Sequence, residues 1–378
     1  MTTSPLLAPG TGPLLRLLLD GRPRTRAELI ELSGLARSTV AGRIDALLAS
    51  GLVVQSGEAS STGGRPPARF AFNPGARVIL AIDVGASHLT VALTDLAGTI
   101  LDSVTTAQRI DQGPEGILGR AVREARKLLK GHAPLAGTGI GLPGPVEHET
   151  GRPNHPPIMP GWDGYDVVGR LEKDLGQPVL VDNDVNLMAL GEHTSHYADV
   201  DHLLFVKVAT GIGAGVISGG RLQRGAQGAA GDLGHVQTPG GHHVVCRCGN
   251  TGCLEAIASA AAIAMDLREQ GVQVTSSQDI VDQVRAGNAA ATRAVRQAGR
   301  ELGTVLATCV SLLNPSVIVI GGSLAQAGES LLAGVRENIY ARSLPLATTT
   351  LRVTTSETSD AALKGAAALV LQQLLDRD

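Results

Sequence analysis

Three of the chain's four cysteines lie close together in the stretch Gly234–Glu255, with the spacing C-x-C-x4-C. They are Cys246, Cys248 and Cys253. Three thiolates and one imidazole are the ligands of a tetrahedral zinc site, and His235 lies eleven residues before the first cysteine. His242 and His243 lie nearer in sequence and are alternative ligands. Free core cysteines or a disulfide are the competing interpretation, but such cysteines rarely cluster with glycines between them.

The pattern G-H-x10-C-x-C-G-x2-G-C-x-E in this stretch resembles the signature of the ROK family, which contains repressors and sugar kinases. In that family the histidine of the G-H pair is the zinc ligand, so the resemblance favours His235. It also implies a structural zinc ion that shapes a sugar pocket, which agrees with a closed four-ligand site without an open position for chemistry. The resemblance runs from about Leu14 to the last helix and implies a two-lobed, actin-like ATPase (ribonuclease H-like) fold.

Three short segments resemble the nucleotide-binding parts of ROK kinases. The first, Asp83–Ser87, ends a strand with an acid and a tight turn, where N–H groups can cradle phosphate and the acid can hold Mg2+ through water. Ala86 and His88 replace residue types that the kinases usually have there, which counts against ATP and Mg2+ binding. The other two segments are equally well interpreted as ordinary glycine turns. Together the resemblance assigns nucleotide binding to Asp83, Gly85, Ser87, Thr210, Gly211, Gly213, Gly321 and Gly322.

A group of polar residues resembles the family's sugar-binding ring. Asp184, in the segment VDNDVNLMALGE, matches the general base of the kinases and would be catalytic if this chain were one; an ordinary helix cap is the alternative. Asp232 stands where the family usually has Glu, and Ile158 lies near a position that is often Asn. A buried unpaired hydroxyl costs ~1–3 kcal/mol, so these changes leave the identity of the sugar open and do not support glucose in particular. The ring would comprise Asn183, Asp184, Asp232, His235 and Glu255.

Charge is unevenly spread along the chain. Residues 1–75 contain eight basic and five acidic residues, whereas the remainder contains 24 basic and 30 acidic. Only this mildly basic beginning is therefore suited to a polyanion, although a solvated surface explains three charges equally well. No apolar run is long enough to span a membrane, no signal peptide is recognisable, and the clustered cysteines suit metal rather than disulfides. These features predict a cytoplasmic protein.

Residues 1–75 carry the pattern of a winged helix-turn-helix domain. An apolar helix begins over Leu14–Leu19, and the capping box Thr25-x-x-Glu28 predicts a second helix over 26–32. A third helix is predicted over 37–49, with an apolar stripe every three to four residues. Strands over 52–55 and 69–72 would form the wing. The segment also resembles the amino-terminal domain of ROK repressors, although Ala36 stands where the third helix usually has a Ser or Thr cap.

The third helix would lie in the major groove of double-stranded DNA. The basic wing tip at residues 63–66 would place an arginine in a narrow minor groove. A small protein-interaction module is the alternative. The DNA contacts predicted in this way are Arg37, Ser38, Thr39, Arg43 and Arg65.

Residues 76–378 alternate strands and helices in two similar sets, which predicts an α/β domain built by duplication. We expect lobe one over about 76–196 with the last helix, 360–376, and lobe two over about 197–358. Continuous helices are predicted over 163–175 and 254–270, among others. The head favours a sugar-responsive repressor that binds operator DNA and a sugar or sugar phosphate. It would work as a homodimer or a dimer of dimers. The alternative is an ATP-dependent, glucokinase-like sugar kinase with an attached DNA-binding domain.

Overall fold

The computed structural model describes residues 7–58, 67–241 and 243–376. Its first elements are α1 (Gly12–Arg16), β1 (Arg24–Thr25), α2 (Arg26–Ser33), α3 (Arg37–Ala49), β2 (Val53–Glu58) and β3 (Ala68–Phe72). The strands form a sheet in the order β1-β3-β2. These elements, the head, form the predicted three helices and wing.

Local chemistry explains where the helices of the head begin and end. The capping box of α2 is present: the Thr25 hydroxyl accepts from the Glu28 N–H, and the Glu28 carboxylate accepts from the Thr25 N–H. Helix α3 has the predicted bounds and begins after Ala36 without a side-chain cap. Helix α1 ends before the predicted Leu19, because the backbone continues in tighter turns in which the Leu18 and Leu19 N–H groups bond the carbonyl oxygens three residues before them.

The next ten elements form the first α/β lobe, including a five-stranded sheet in the order β10-β7-β4-β5-β6. They are β4 (Val78–Val84), β5 (His88–Asp95), β6 (Ile100–Ala107), α4 (Gly113–Leu128), β7 (Leu135–Leu142), β8 (Val146–Glu147), β9 (Arg152–Pro153), α5 (Val167–Leu175), β10 (Val179–Asn183) and α6 (Asp184–His196). The predicted start of a helix at residue 163 is wrong: α5 begins after Asp166, whose carboxylate accepts from the Gly169 N–H and caps it.

The second lobe contains a sheet in the order β13-β12-β11-β14-β15. Its elements are β11 (Leu203–Val208), β12 (Ile212–Ser218), β13 (Arg221–Gln223), α7 (Leu254–Ala258), α8 (Ala260–Glu269), α9 (Ser277–Arg285), α10 (Ala289–Leu313), β14 (Val317–Gly321), α11 (Glu329–Arg342), α12 (Pro345–Thr348) and β15 (Arg352–Thr355). The helix predicted over 254–270 is divided in two, because Ser259 is extended and its hydroxyl caps α8. Both sheets join an antiparallel meander to two parallel strands, so the two lobes share one topology.

The last helix, α13 (Ala361–Asp376), returns to the first lobe and packs on α6. Two glycines permit the close approach. A Cβ at Gly191 would lie 1.9 Å from the Ala361 oxygen, and one at Gly365 would lie 1.8 Å from the Leu187 oxygen. Helix α13 also contacts α1, and its residues Val370 and Leu375 share one apolar core with the head. It therefore joins α6 to the head. Within the described residues, no helix has the length and apolarity needed to cross a bilayer.

The substitution Gly365→Ala tests the contact between α6 and α13. Its methyl group would meet backbone rather than a movable side chain, so we expect the free energy of unfolding to fall by about 2–3 kcal/mol. The matched control is Gly116→Ala, at an exposed helical position of α4 with open space around it. That change should stabilise the protein by about 0.5–1 kcal/mol. Urea denaturation measures both, and equal effects would contradict the close contact.

Candidate functional site

The four predicted zinc ligands lie together. One ligand atom from each of His235, Cys246, Cys248 and Cys253 lies within 4.8 Å of the others. The Cys246 Sγ is 3.7 Å from the His235 Nδ1, and the Sγ atoms of Cys248 and Cys253 are 3.7 Å apart. In a tetrahedral site with zinc–sulfur bonds of about 2.3 Å, neighbouring ligand atoms are about 3.8 Å apart. The side chains therefore have the chemistry and spacing of a structural zinc site.

The chain folds into this cluster because two glycines adopt left-handed backbone conformations. Gly249 has φ +91° and Gly252 has φ +76°, which other residues rarely adopt. The turn closes where the Cys246 N–H donates to the Asn250 oxygen at 2.7 Å. His235 is the imidazole in the cluster. His243 is exposed and outside it, and His242 is outside the described residues.

The loop that carries the four ligands, residues 235–253, is called the zinc loop, and it lies against the glycine turn between β11 and β12. The His235 Nε2 faces Asp232 at 3.9 Å, so a carboxylate lies on the side of the ring away from Cys246. That distance is longer than a hydrogen bond, so Asp232 lies near the ring without fixing its orientation. Just beyond Cys253, the Glu255 carboxylate accepts from the Ile212 N–H at 3.0 Å. Three of the five predicted sugar-binding residues therefore border the hairpin of β11 and β12.

The other two lie at the start of α6, where the structure corrects one interpretation. Asn183, not Asp184, caps the helix: its Oδ1 accepts from the N–H groups of Val185 and Asn186. Asp184 is buried, and its Oδ2 accepts from the Lys207 Nζ at 2.5 Å. Burial raises the pKa of Asp184 above the usual carboxyl value, while the Lys207 charge opposes that shift.

A second ion pair also joins the lobes. The Asp182 Oδ2 accepts from the Arg224 Nε at 2.7 Å, and the Asp182 Oδ1 accepts from the Asn186 amide at 2.8 Å. Lys207 and Arg224 come from the second lobe, and the carboxylates come from β10 and α6. Neither base was identified from the sequence. For Lys207 the signal was present, because it is the one charged residue in the apolar strand LLFVKV.

The side chain of His88 fills the space at the turn Asp83–Ser87, which resembles a phosphate-binding loop. A Cβ on Gly85 would lie 2.1 Å from the His88 Cε1, so the imidazole covers the turn. The His88 Nε2 is 3.1 Å from the Asp83 Oδ2, and this hydrogen bond raises the pKa of His88 above its ordinary value. Ser87 lies in the same turn and accepts a backbone hydrogen bond through its carbonyl oxygen. The observed arrangement disfavours phosphate at this turn.

The other glycines that resemble a nucleotide site have packing roles. A Cβ on Gly213 would lie 3.1 Å from Val185, and one on Gly321 would lie 2.3 Å from the Phe205 ring. Gly322 has φ +84° and lies against the Val208 backbone. Thr210 and Gly211 form the turn itself, where a Cβ on Gly211 would lie 2.5 Å from the Glu255 Oε2. Close packing therefore accounts for several of these positions without a nucleotide.

The face of α3 that is predicted to contact DNA is partly exposed to solvent. Arg37 and Ser38 are exposed, and Thr39 and Arg43 are half-buried. The Arg43 guanidinium lies against Gly10, where a Cβ would be 2.7 Å from its Nη2. Arg43 therefore supports the amino-terminal segment in this structure. Arg65, the predicted wing arginine, lies outside the described residues.

The structure combines two α/β lobes of one topology, a Cys3His loop beside their junction, and a head with three helices and a wing. These features define a two-lobed, kinase-like protein with an added winged-helix unit. Residues 79–373 match the profile of the ROK family. A xylose repressor of Caldicellulosiruptor bescii is 30% identical over 385 residues, 96% of this chain and 95% of that protein. The chain belongs to the ROK family, and its organisation is that of the family's transcriptional regulators.

Two further comparisons differ in how much of this chain they cover. The crystal structure of a ROK family transcriptional regulator, a homolog of the E. coli MLC protein, has a TM-score of 0.86 at 29% identity and covers 97% of this chain and 96% of that one. A glucokinase of Halalkalibacterium halodurans is 32% identical over 290 residues, 71% of this chain and 87% of that protein. The regulators therefore match nearly the whole chain, whereas the kinase matches a smaller share of it.

The zinc cluster can be tested by metal analysis. Purified protein should contain about one zinc ion per chain, and Cys253→Ser should lose it and unfold at a lower temperature. Burial raises the pKa of the Cys253 thiol to about 12, so zinc uptake must release a proton and zinc affinity should fall as the pH falls. Cys309→Ser, a cysteine of α10 outside the cluster, is the matched control and should keep the metal. Zinc-free wild-type protein would contradict the assignment.

Proposed function

We propose that this protein is a sugar-responsive transcriptional regulator, most simply a repressor. Residues 1–75 bind double-stranded operator DNA, and residues 76–378 bind a sugar or sugar derivative in the cleft between the lobes. The observation that carries the proposal is the head of three helices and a wing, joined through α13 to a body that carries the cluster of His235 and three cysteines. The full-length similarity to a xylose repressor supports it. Operator binding requires access to DNA, so we propose that the protein acts in the cytoplasm.

The sugar is held by groups from both sides of the junction. Asn183 and Asp184 begin α6, and Asp232, His235 and Glu255 border the zinc loop. Asn183 already donates to the Gly144 oxygen at 3.0 Å and caps α6, so its amide fixes the backbone more than it contacts hydroxyls. Carboxylates accept hydrogen bonds only, so acids at this site select sugars by the position of their hydroxyl donors.

Helix α6 links the cleft to the DNA-binding head. Its first turn carries Asp184, and its other end carries the buried Glu192, which accepts from the Ser356 hydroxyl at 2.6 Å just before α13. Helix α13 then reaches α1, where Asp376 pairs with Arg16. A sugar that closes the lobes moves α6 and therefore biases how the head is held. In a homodimer or a dimer of dimers, this sets whether two recognition helices fit half-sites about one DNA turn apart.

Asp184 matches the general base of the sugar kinases and so favours the kinase alternative. Two other side chains favour the regulator. The His88 imidazole covers the turn that resembles a phosphate loop, and the Lys207 ammonium is bonded to Asp184. Both side chains stand in the way of ATP and of proton transfer to Asp184. Brisk ATP-dependent phosphorylation of a sugar would favour the kinase alternative.

The regulator proposal is tested by operator binding in the presence of a panel of sugars. Fluorescence anisotropy with operator DNA should show that at least one sugar changes the affinity by about tenfold, a usual size for coupling between two sites. Asp184→Asn should abolish the response to the sugar while the variant still binds operator DNA. If no sugar changes the affinity, the proposal is wrong.

The DNA-binding face is tested with Arg37→Ala. Loss of an exposed cationic contact in α3 should weaken operator binding about tenfold and make the affinity less salt-dependent. Arg285→Ala, on the exposed face of α9 in the second lobe, is the control and should bind operator as the wild type does. Equal binding by both variants would remove α3 from the interface.

A further inference from the structure

One lysine lies at a position where the fold brings two carboxylates together. In the parallel register, Asp83 of β4 is paired with Gly141 of β7, so both point to the same face of the sheet. A Cβ on Gly141 would lie 3.4 Å from the Cα of Asp184. Asp83 and Asp184 therefore lie at the same carboxyl edge of the first sheet, near enough for the Asp83 charge to act on Asp184.

Each of these carboxylates has a nitrogen partner from the chain itself. The Lys207 Nζ lies 2.5 Å from the Asp184 Oδ2, and the His88 Nε2 lies 3.1 Å from the Asp83 Oδ2. Lys207 enters from the second lobe, where it is paired with Gly213 on one side and Gly321 on the other. Since neither neighbour has a side chain, the lysine stem has an unobstructed path to the junction.

Paired carboxylates at the end of a strand suit a hard divalent cation such as Mg2+, which prefers oxygen ligands. Phosphoryl transfer from ATP uses such a cation to neutralise the phosphates. An ammonium group is a compact charge with three donors and can satisfy the same oxygens. Burial opposes the charge of Lys207, but the carboxylates of Asp184 and Asp83 raise its pKa above the ordinary value. The lysine therefore stays protonated.

We propose that the Lys207 ammonium is the resident cation of the cleft. It occupies the place that a divalent metal would take beside Asp184 and Asp83, and it makes the junction of the lobes independent of metal and nucleotide. Lys207 is thus a specificity-determining residue that excludes metal-bound nucleotide from a kinase-like cleft. The inference rests on the geometry of the cleft and does not depend on operator binding.

The test is the response of the full-length protein to Mn2+, measured as the thermal unfolding midpoint. Lys207→Met leaves a buried carboxylate without its partner, so the midpoint should fall. Mn2+ should then raise the midpoint again, because an ion that binds only the folded state stabilises it. The wild type should not respond. The double variant Lys207→Met/Asp184→Asn should lose the response.

Lys127→Met is the matched control, because Lys127 pairs with Glu124 at 2.8 Å on the surface of α4. Like the wild type, this variant should show no response to Mn2+. Lys207→Gln, which keeps a donor but not the charge, serves if the methionine variant does not fold. If neither variant folds, Mn2+ in the refolding buffer should recover folded protein, and failure to do so counts against the proposal. A wild-type response equal to that of Lys207→Met, or a response that survives Asp184→Asn, would overturn it.

Discussion

The close contact between α6 and α13 is the constraint on which the remaining structure depends. Gly191 and Gly365 let the two backbones approach to a distance that no side chain would allow. Helix α6 also packs on β11 and β12 of the second lobe, and its first turn faces the cleft. Helix α13 shares its apolar end with the head. A single helix pair therefore contacts both lobes, the candidate sugar site and the head, so a movement of one can reach the others without a separate linker.

The polar contacts at the junction specify geometry more than they add stability. Taking charges out of water is costly, and a buried ion pair recovers that cost only when its geometry is good. Two such pairs, Asp182 with Arg224 and Asp184 with Lys207, cross between the lobes. These contacts fix how the lobes meet, and a ligand that rearranges them changes the relative position of the lobes.

Much of this could be predicted from the sequence because the signals are local. The cysteine spacing, the capping box at Thr25 and the apolar period of α3 each depend on neighbouring residues. The misjudged helix boundaries are local too, but each depends on which of several neighbouring polar residues caps the helix. Only the ion pairs between the lobes depend on residues far apart in the chain. The cap of α6 is Asn183 rather than Asp184, and the break at Ser259 lies inside an apolar segment. Lys207 and Arg224 became visible as partners of Asp184 and Asp182 only when the two sheets were placed together.

The central claim is that the cleft and the head are coupled through α6 and α13, and hydrogen–deuterium exchange tests it most directly. The full-length protein would be compared with and without the sugar that stabilises it most in a thermal-shift panel. Our account expects amide exchange to change in α6, in α13 and in the head segment that contacts α13, as well as around the cleft. A change confined to the cleft, with α13 and the head exchanging as before, would contradict it.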